Sequence, residues 1–271
     1  MRISRFVVPA VMLLMNGAIP AIAQTPVLTP GNSYPSELSN VQVADLNSDN
    51  APDIVGLASG GGSLGVLRNL GNGTYAPARY YSVSGQLNGV AVGDFNGDGK
   101  LDVAVAIGAY NASSGKVAVL LNAGDGTLKA PTYYTVATPA NSIAVADLNN
   151  DNRPDIAVIG NNSDNTKNTV VLLTNTGSTF TQKSFPAPVY FTPNGFGDGA
   201  DFVLDLVAGD FNGDGRIDLA YIDGCAQCSV SEEELFILAN TTADGRPSSL
   251  WAEPAVRASR LRIWTAMASR T

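Results

Sequence analysis

Hydrophobic and polar residues alternate along most of the chain, which is the pattern of β-strands that bury one face. The clearest examples are three pairs of residues spaced two apart: Val41 and Val43, Val90 and Val92, and Ile143 and Val145. A spacing of two returns a strand to the same face of its sheet. No stretch carries an apolar stripe of helical length. The pattern therefore predicts an all-β fold built from short strands.

The predicted strands belong to a unit that recurs four times. Four segments align without gaps: VQVADLNSDNAPDIVGL from Val41, VAVGDFNGDGKLDVAVA from Val90, IAVADLNNDNRPDIAVI from Ile143 and LVAGDFNGDGRIDLAYI from Leu206. A second set follows each of them in turn: GVLRNLGNGTY, AVLLNAGDGTL, VLLTNTGSTF and FILANTTADG. The unit is predicted to run strand, Asp-rich loop, strand, turn, strand, hairpin and outer strand.

The length of the unit points to the blades of a β-propeller. About 50–60 residues forming four short antiparallel strands is typical of one blade. A single blade cannot bury both of its faces, so blades must stack, and the sequence holds about four of them. Asn72-Gly73 and Asp125-Gly126 are hairpin dipeptides that tolerate the positive φ of primed turns. Gly60-Gly61-Gly62 is predicted to be a turn, since no strand-to-helix unit surrounds it to make a phosphate site.

Each first segment contains the pattern D-x-N-x-D-x-x-x-D, whose nine residues we number as loop positions 1 to 9. Side-chain oxygens stand at positions 1, 3, 5 and 9, and position 7 offers a backbone carbonyl. In that order (1, 3, 5, 7, 9) the members are Asp45, Asn47, Asp49, Ala51 and Asp53 in loop 1; Asp94, Asn96, Asp98, Lys100 and Asp102 in loop 2; Asp147, Asn149, Asp151, Arg153 and Asp155 in loop 3; and Asp210, Asn212, Asp214, Arg216 and Asp218 in loop 4.

Five oxygens from one short loop suit a hard divalent cation. Ca²⁺ takes six to eight oxygen ligands, whereas Mg²⁺ prefers a tighter octahedron and keeps its water. A single Asp- and Asn-rich stretch is more often a solvated turn. Four copies in register, each keeping all four side-chain positions, favour a metal. The sequence therefore predicts about four Ca²⁺ sites with a structural role, and the side chains at position 7 are free to point to solvent.

The same residues resemble a known family. DFNGDGKLD and DFNGDGRID, with the flanking VAVGD and the NxGxGT segment, are similar to the FG-GAP/VCBS repeats of integrin-α-type propellers. The resemblance covers about residues 40 to 245. It implies Ca²⁺ in the loop between two blade strands, a seven-bladed wheel, and a role in adhesion, ligand binding or scaffolding rather than catalysis.

Composition narrows the range of functions. The formal net charge is −8, which disfavours nucleic acid as a partner because phosphates call for clustered Lys and Arg. The chain has no His, and this removes Ser-His-Asp, Cys-His and His-metal chemistry together. The two cysteines, Cys225 and Cys228, are predicted to be a small loop disulfide or a pair of unreactive thiols.

The first 23 residues are predicted to be an export signal. Arg2 and Arg5 precede an apolar run from Phe6 to Ile19, and Ala21-Ile22-Ala23 is a small-x-small cleavage site. The alternative is a membrane anchor, but the run is short for about 30 Å of hydrocarbon. We expect a secreted protein. It would be extracellular, or, if the source is bacterial, located in the periplasm or at the cell surface. No membrane span is expected after removal of the signal.

The predicted domain organisation is a signal peptide at 1–23, propeller repeats at 24–245 and an aberrant tail at 246–271. The tail breaks the pattern and holds five Arg and both Trp. One interpretation is a basic tail that binds a partner, and another is a C-terminal helix. A third interpretation is a frameshift. ASRLRIWTAMASRT, from Ala258, has a possible coding sequence that reads VAVADLDGDGKPD one frame over, a fifth loop. The DNA of the locus tests this hypothesis.

Two classes of function remain open. The first is a non-catalytic protein that binds an extracellular protein or carbohydrate ligand, with the insertion at Phe191–Val203 as a candidate binding loop. The second is a calcium-dependent polysaccharide lyase on a propeller scaffold, which needs a base opposite a substrate carboxylate. Tyr80, Tyr81, Tyr133 and Tyr134 are candidates for that base, but their repeated positions indicate packing on outer strands. A further domain outside this chain is a third possible carrier of activity.

Overall fold

The computed structural model describes residues 37–109, 112–161, 168–187, 201–225 and 233–240. These residues form fifteen β-strands and no helix. The strands are β1 (Leu38–Ala44), β2 (Asp53–Ala58), β3 (Ser63–Leu67), β4 (Arg79–Ser82), β5 (Leu87–Gly93), β6 (Asp102–Ile107), β7 (Gly115–Leu120), β8 (Thr132–Val136), β9 (Ser142–Ala146), β10 (Asp155–Asn161), β11 (Asn168–Asn175), β12 (Phe180–Ala187), β13 (Asp201–Gly209), β14 (Asp218–Cys225) and β15 (Glu233–Leu238).

The strands make four antiparallel sheets in chain order. Sheet 1 is β1-β2-β3-β4, sheet 2 is β5-β6-β7-β8, sheet 3 is β9-β10-β11-β12 and sheet 4 is β13-β14-β15. Every strand pairs with its neighbours in sequence, so each sheet is a meander whose first strand forms one edge. The prediction of all-β, propeller-type blades is confirmed, with four strands in three sheets and three described strands in the fourth. The seven-bladed wheel remains a prediction.

Three hydrophobic cores lie between consecutive sheets. The first joins Leu57 of sheet 1 to Val105 of sheet 2, and the second joins Ala106 of sheet 2 to Val158 of sheet 3. The third contains Ile159 of sheet 3 and Tyr221 of sheet 4. The central strands are apolar on both faces because each face meets a different sheet; all six residues of β6 are buried. Stacking therefore supplies the burial that one sheet cannot.

The predicted burial of the first strands is correct for sheets 2 and 3 and wrong for Val43. Val90 and Ile143 are buried, and Val92 and Val145 pack partly against cores. Val43 keeps 51% of its surface exposed. Its face of sheet 1 is the one that meets a preceding sheet in the later repeats, and no sheet precedes it among the described residues.

The hairpin dipeptides form turns, but not primed turns. Only the glycines have positive φ, with 81° at Gly73 and 78° at Gly126. The preceding residue acts through its side chain, as Asn72 Oδ1 accepts the N–H of Thr74 at 3.0 Å and Asp125 Oδ1 accepts that of Thr127 at 2.9 Å. An Asx turn therefore fixes the hairpin.

Several sequence predictions fall outside the described residues. The signal at 1–23 and the tail at 246–271 lie there, as do Cys228 and residues 191–200 of the Phe191–Val203 insertion; the last three residues of the insertion open β13. Gly60-Gly61-Gly62 does lie in a turn between β2 and β3, with positive φ at all three residues. No helix in the described part of the chain has the length and apolar character to cross a bilayer.

Candidate metal centres

The four Asp-rich loops occupy the same place in each sheet, between its first and second strands. In the antiparallel register, Gly93 at the end of β5 lies opposite Asp102 at the start of β6, so loop 2 closes between paired residues. The other three loops close in the same way, at Ala44 and Asp53, Ala146 and Asp155, and Gly209 and Asp218. Position 9 is thus anchored in a central strand while positions 1 to 8 form the connection.

The carboxylate at position 1 holds each loop closed through both of its oxygens. Asp94 Oδ1 accepts the N–H of Asp98 at 3.1 Å, and Asp94 Oδ2 accepts the N–H of Gly99 at 2.8 Å. The corresponding distances are 3.2 and 2.8 Å at Asp45, 3.0 and 2.7 Å at Asp147, and 3.1 and 2.9 Å at Asp210. Local side-chain bonds of this kind are what Asp and Asn favour in turns.

The side chains at positions 3 and 5 turn toward the same region. Asn96 Oδ1 accepts the N–H of Asp98 at 3.0 Å, so oxygens of positions 1 and 3 both lie about 3 Å from one nitrogen. Asp98 Oδ1 accepts the N–H of Lys100 at 3.1 Å. Both bonds recur in loops 1, 3 and 4. Each loop therefore gathers oxygens from three side chains around its own backbone.

Left-handed backbone at positions 4 and 6 makes this wrapping possible. Loops 2 and 4 place glycine at both positions, with φ between 73° and 81°. Loops 1 and 3 adopt the same conformation without glycine: φ is 60° at Ser48, 64° at Asn50, 59° at Asn150 and 63° at Asn152. Asn and Asp visit this region more readily than other side chains. The four loops thus share one backbone shape despite different sequences.

The position-9 carboxylate is buried and serves both ends of the loop. Asp102 is fully buried; its Oδ2 accepts the N–H of Phe95 at 3.1 Å, and its Oδ1 accepts the N–H of Asn122 at 2.8 Å. The same pair of bonds occurs at Asp53, Asp155 and Asp218. Position 9 therefore ties the loop to the hairpin that follows the third strand.

The sequence suggested that the side chains at position 7 point to solvent, but the three basic ones turn back toward their own loops. Lys100 Nζ lies 3.4 Å from Asp98 Oδ2, and a guanidinium nitrogen of Arg153 and of Arg216 lies 2.5 Å from the carboxylate at position 5 of its own loop. The guanidiniums also donate through Nε to a hairpin carbonyl. A positive group therefore faces the carboxylates in three loops, and Ala51 leaves loop 1 without one.

The donor set of each loop fits Ca²⁺ in chemistry. No three acidic or Cys side chains in the described ranges stand as a ready-made cluster, because the oxygens turn toward backbone N–H groups. Every predicted side-chain ligand is nevertheless an oxygen, and the three carboxylates of a loop repel one another without a cation. An oxygen that accepts a single N–H, as Asp45 Oδ1 and Asp147 Oδ1 do, retains a second lone pair, whereas Asp94 Oδ1 and Asp210 Oδ1 each accept two N–H groups. The residues that would hold the ion are therefore those predicted at positions 1, 3, 5 and 9, with the position-7 carbonyl.

Burial sets the electrostatics of position 9. Loss of solvent raises the pKa of the Asp53, Asp102 and Asp155 carboxyls despite their N–H bonds, and it raises that of Asp155 to about 6 from 3.8. The nearby carboxylates at positions 1 and 5 raise these pKa values further. At position 1 of loop 4, N–H bonds, above all from Gly215, lower the pKa of Asp210.

The raised pKa of Asp155 predicts a pH effect on the metal-free protein. Between about pH 4 and 6 the native carboxyl binds more protons than the unfolded one, so stability falls as pH rises through this window. The unfolding free energy of the wild type, measured relative to that of Asp155→Asn, is therefore expected to fall by about 2 kcal/mol between pH 4.5 and pH 7. Urea unfolding with a chelator measures it, and an unchanged gap contradicts the assignment.

The structure also reveals a residue of the site that the sequence alone did not single out, the Asn at the start of the hairpin that follows the third strand of each sheet. Asn122 is fully buried, and its Nδ2 donates to the Leu101 carbonyl at 2.9 Å and to the Leu46 carbonyl of sheet 1. Asn175 and Asn240 reach back in the same way to the position-2 carbonyls of Phe95 and Leu148. The signal was present, since Asn stands fifth in all four segments.

These contacts form a continuous hydrogen-bonded chain across the sheets. In loop 1, Asp53 accepts the N–H of Leu46, and the carbonyl of Leu46 accepts from Asn122 of sheet 2. The N–H of Asn122 donates to Asp102, which also accepts the N–H of Phe95. The same series of hydrogen bonds continues into sheets 3 and 4. Loops 2 and 3 are therefore joined both to the sheet before and to the sheet after their own, while loop 1 is joined to sheet 2 and loop 4 to sheet 3.

Comparison with known proteins finds one family. The model for the FG-GAP-like repeat matches three overlapping stretches, at residues 45–105, 94–158 and 147–221. Each stretch begins at position 1 of a loop and contains the next loop. No curated protein matches the chain.

Proposed function

Since the chain belongs to the FG-GAP-like repeat family, we propose that it is a secreted, calcium-binding β-propeller repeat protein that acts by binding a ligand. The observation that carries this proposal is the fourfold repetition of one oxygen arrangement. Positions 1, 3 and 5 gather oxygens around the loop backbone in every sheet, and position 9 adds a buried carboxylate. A solvated turn has no need of twelve carboxylates placed in this way.

The role of the metal follows from the position of the loops. Hydrogen bonds through position 9 and the hairpin Asn residues join each loop to its own sheet and to at least one neighbouring sheet, so an ion that orders the loop also orders the contact between sheets. Ca²⁺ neutralises carboxylates that otherwise repel one another at short range. We therefore assign Ca²⁺ a structural role and place ligand recognition elsewhere on the protein. The proposed ligand is an extracellular protein or a carbohydrate.

Of the four Tyr side chains considered as lyase bases, Tyr81 and Tyr134 have packing roles, while Tyr80 and Tyr133 are exposed. Tyr81 and Tyr134 lie on the outer strands β4 and β8 and pack against the cores, and Tyr134 meets Phe180 edge to face with ring centroids 5.1 Å apart. Tyr133 accepts the N–H of Ser84 at 3.1 Å. No arrangement of these residues favours catalysis over binding.

Incubation of the calcium-loaded protein with a panel of acidic polysaccharides tests the non-catalytic proposal. We expect no unsaturated product from any of them, because no base is set in a substrate cleft by these contacts. Tyr80→Phe and Tyr133→Phe serve as matched variants at two exposed positions. Unsaturated product that disappears in either variant would replace the proposal with the lyase alternative, and product retained in both would still overturn it.

A further inference from the structure

Each interface between sheets is built from two different halves. One half is the face that a sheet turns to its successor, and includes position 2 of its loop and the residue three before the loop. Phe95 and Ala91 of sheet 2 are examples, both in the core shared with sheet 3. The other half is the face turned to the predecessor, such as Ile143 and Val145 of sheet 3 in the same core. The chain repeats this pairing three times.

At sheet 4 the first half is present without its complement. Phe211 at position 2 of loop 4 is 46% exposed, whereas its counterparts Leu46, Phe95 and Leu148 are 1%, 4% and 2% exposed. Val207 is 42% exposed, whereas its counterparts Ala91 and Ala144 are buried and Gln42 of sheet 1 is half-buried. Two apolar side chains therefore lie open at positions that sheets 2 and 3 bury. We call this surface, defined by Val207 and Phe211, the trailing face.

At sheet 1 the second half is present without its complement. Val43 is 51% exposed, while its counterparts Val92 and Val145 pack against cores. The hairpin Asn shows the same loss: Asn69 Nδ2 donates to the Pro52 carbonyl of its own sheet, and the described residues contain no earlier sheet whose loop carbonyl could accept from it. We call this surface, defined by Val43 and Asn69, the leading face.

We propose that the trailing face of one chain binds the leading face of a second copy, head to tail. A second copy carries both halves of an interface that already holds the four sheets together, so it complements both exposed faces. Phe211 and Val207 then enter a core beside the partner's Val43, as Phe95 does beside Val145. The partner's Asn69 side chain donates to the Phe211 carbonyl, as Asn122 does to Leu46.

Sedimentation velocity of the full chain over a range of concentrations tests this, with CaCl₂ in every sample so that the loops are in one state. Wild type is expected to self-associate reversibly, and either Phe211→Asp or Val43→Asp raises the apparent dissociation constant by about 30-fold or more, as expected for a central apolar anchor. Thr135→Asp, an exposed change on the outer strand β8, leaves association unchanged. Circular dichroism confirms that each variant is folded.

A mixture of the two face variants distinguishes head-to-tail from symmetric pairing. Phe211→Asp retains a good leading face and Val43→Asp a good trailing face, so the mixture forms a heterodimer while each variant alone stays monomeric. If the wild-type chain remains monomeric at every concentration, the proposal is overturned. Self-association retained in Val43→Asp overturns it as well, because the trailing face then pairs with itself.

Discussion

Replacement of Asn122 with alanine is expected to lower the free energy of unfolding by about 4–5 kcal/mol. The side chain is fully buried and satisfies three backbone groups at once: the carbonyls of Leu46 and Leu101, and the N–H of Gly124. Alanine leaves all three without a partner, and each buried unsatisfied group costs about 1–3 kcal/mol. The loss also cuts the bond between sheets 1 and 2. Urea unfolding monitored by tryptophan or tyrosine fluorescence measures the effect.

Asn69→Ala is the matched control, because Asn69 holds the same place in sheet 1, and no sheet precedes sheet 1 in the part of the chain that the structure describes. Its side chain bonds only to Pro52 and Gly71, and both bonds are exposed. The expected loss is about 1 kcal/mol. Equal losses from the two substitutions would show that the bond between sheets contributes nothing, and would refute the role assigned to Asn122.

Removal of calcium is expected to have the largest effect on stability. With a dissociation constant of about 0.1 mM, the weak end of the range for extracellular modules, about 1 mM free Ca²⁺ stabilises each site by roughly 1.4 kcal/mol. Four independent sites sum to about 5–6 kcal/mol, which is comparable with the net stability of a whole domain. Chemical unfolding of the protein with and without EDTA measures the difference.

Magnesium at the same concentration is the control for this experiment. Mg²⁺ requires a tighter octahedron and gives up its water reluctantly, so it should restore only a small part of the stability that EDTA removes. Full recovery in Mg²⁺ would indicate general charge screening of an acidic chain rather than binding in the loops. No difference between EDTA and Ca²⁺ would contradict the structural role of the metal.

The strands and the loops were predictable because the repeat displays each of them four times in the same order. Alternation around Val90 and Ile143 gave the first strands, and four copies of one Asp pattern gave the loops. Exposure of Val43 was not predictable from the same alternation. Burial there depends on whether another sheet lies alongside, and a residue's own sequence context does not record its neighbour in space.

The interactions of the loops were predictable in kind but not in detail. Sequence indicated that positions 1, 3, 5 and 9 present oxygens, but it did not show that Asp102 is buried or that one of its two N–H donors, Asn122, lies in a hairpin twenty residues away. The basic residues at position 7 fold back because a carboxylate two residues earlier is within reach. Asn122 was visible as a repeated letter, and only the stacking of sheets reveals what its side chain bonds.

Calorimetric titration of chelator-stripped protein with CaCl₂ measures directly whether the loops bind metal. We expect four Ca²⁺ bound per chain, falling to three in Asp94→Ala, which removes position 1 of loop 2. Asp125→Ala makes the same change of charge in a hairpin outside the loops and keeps all four. Absence of calcium uptake, or equal stoichiometry in the two variants, would show that these carboxylates do not hold metal.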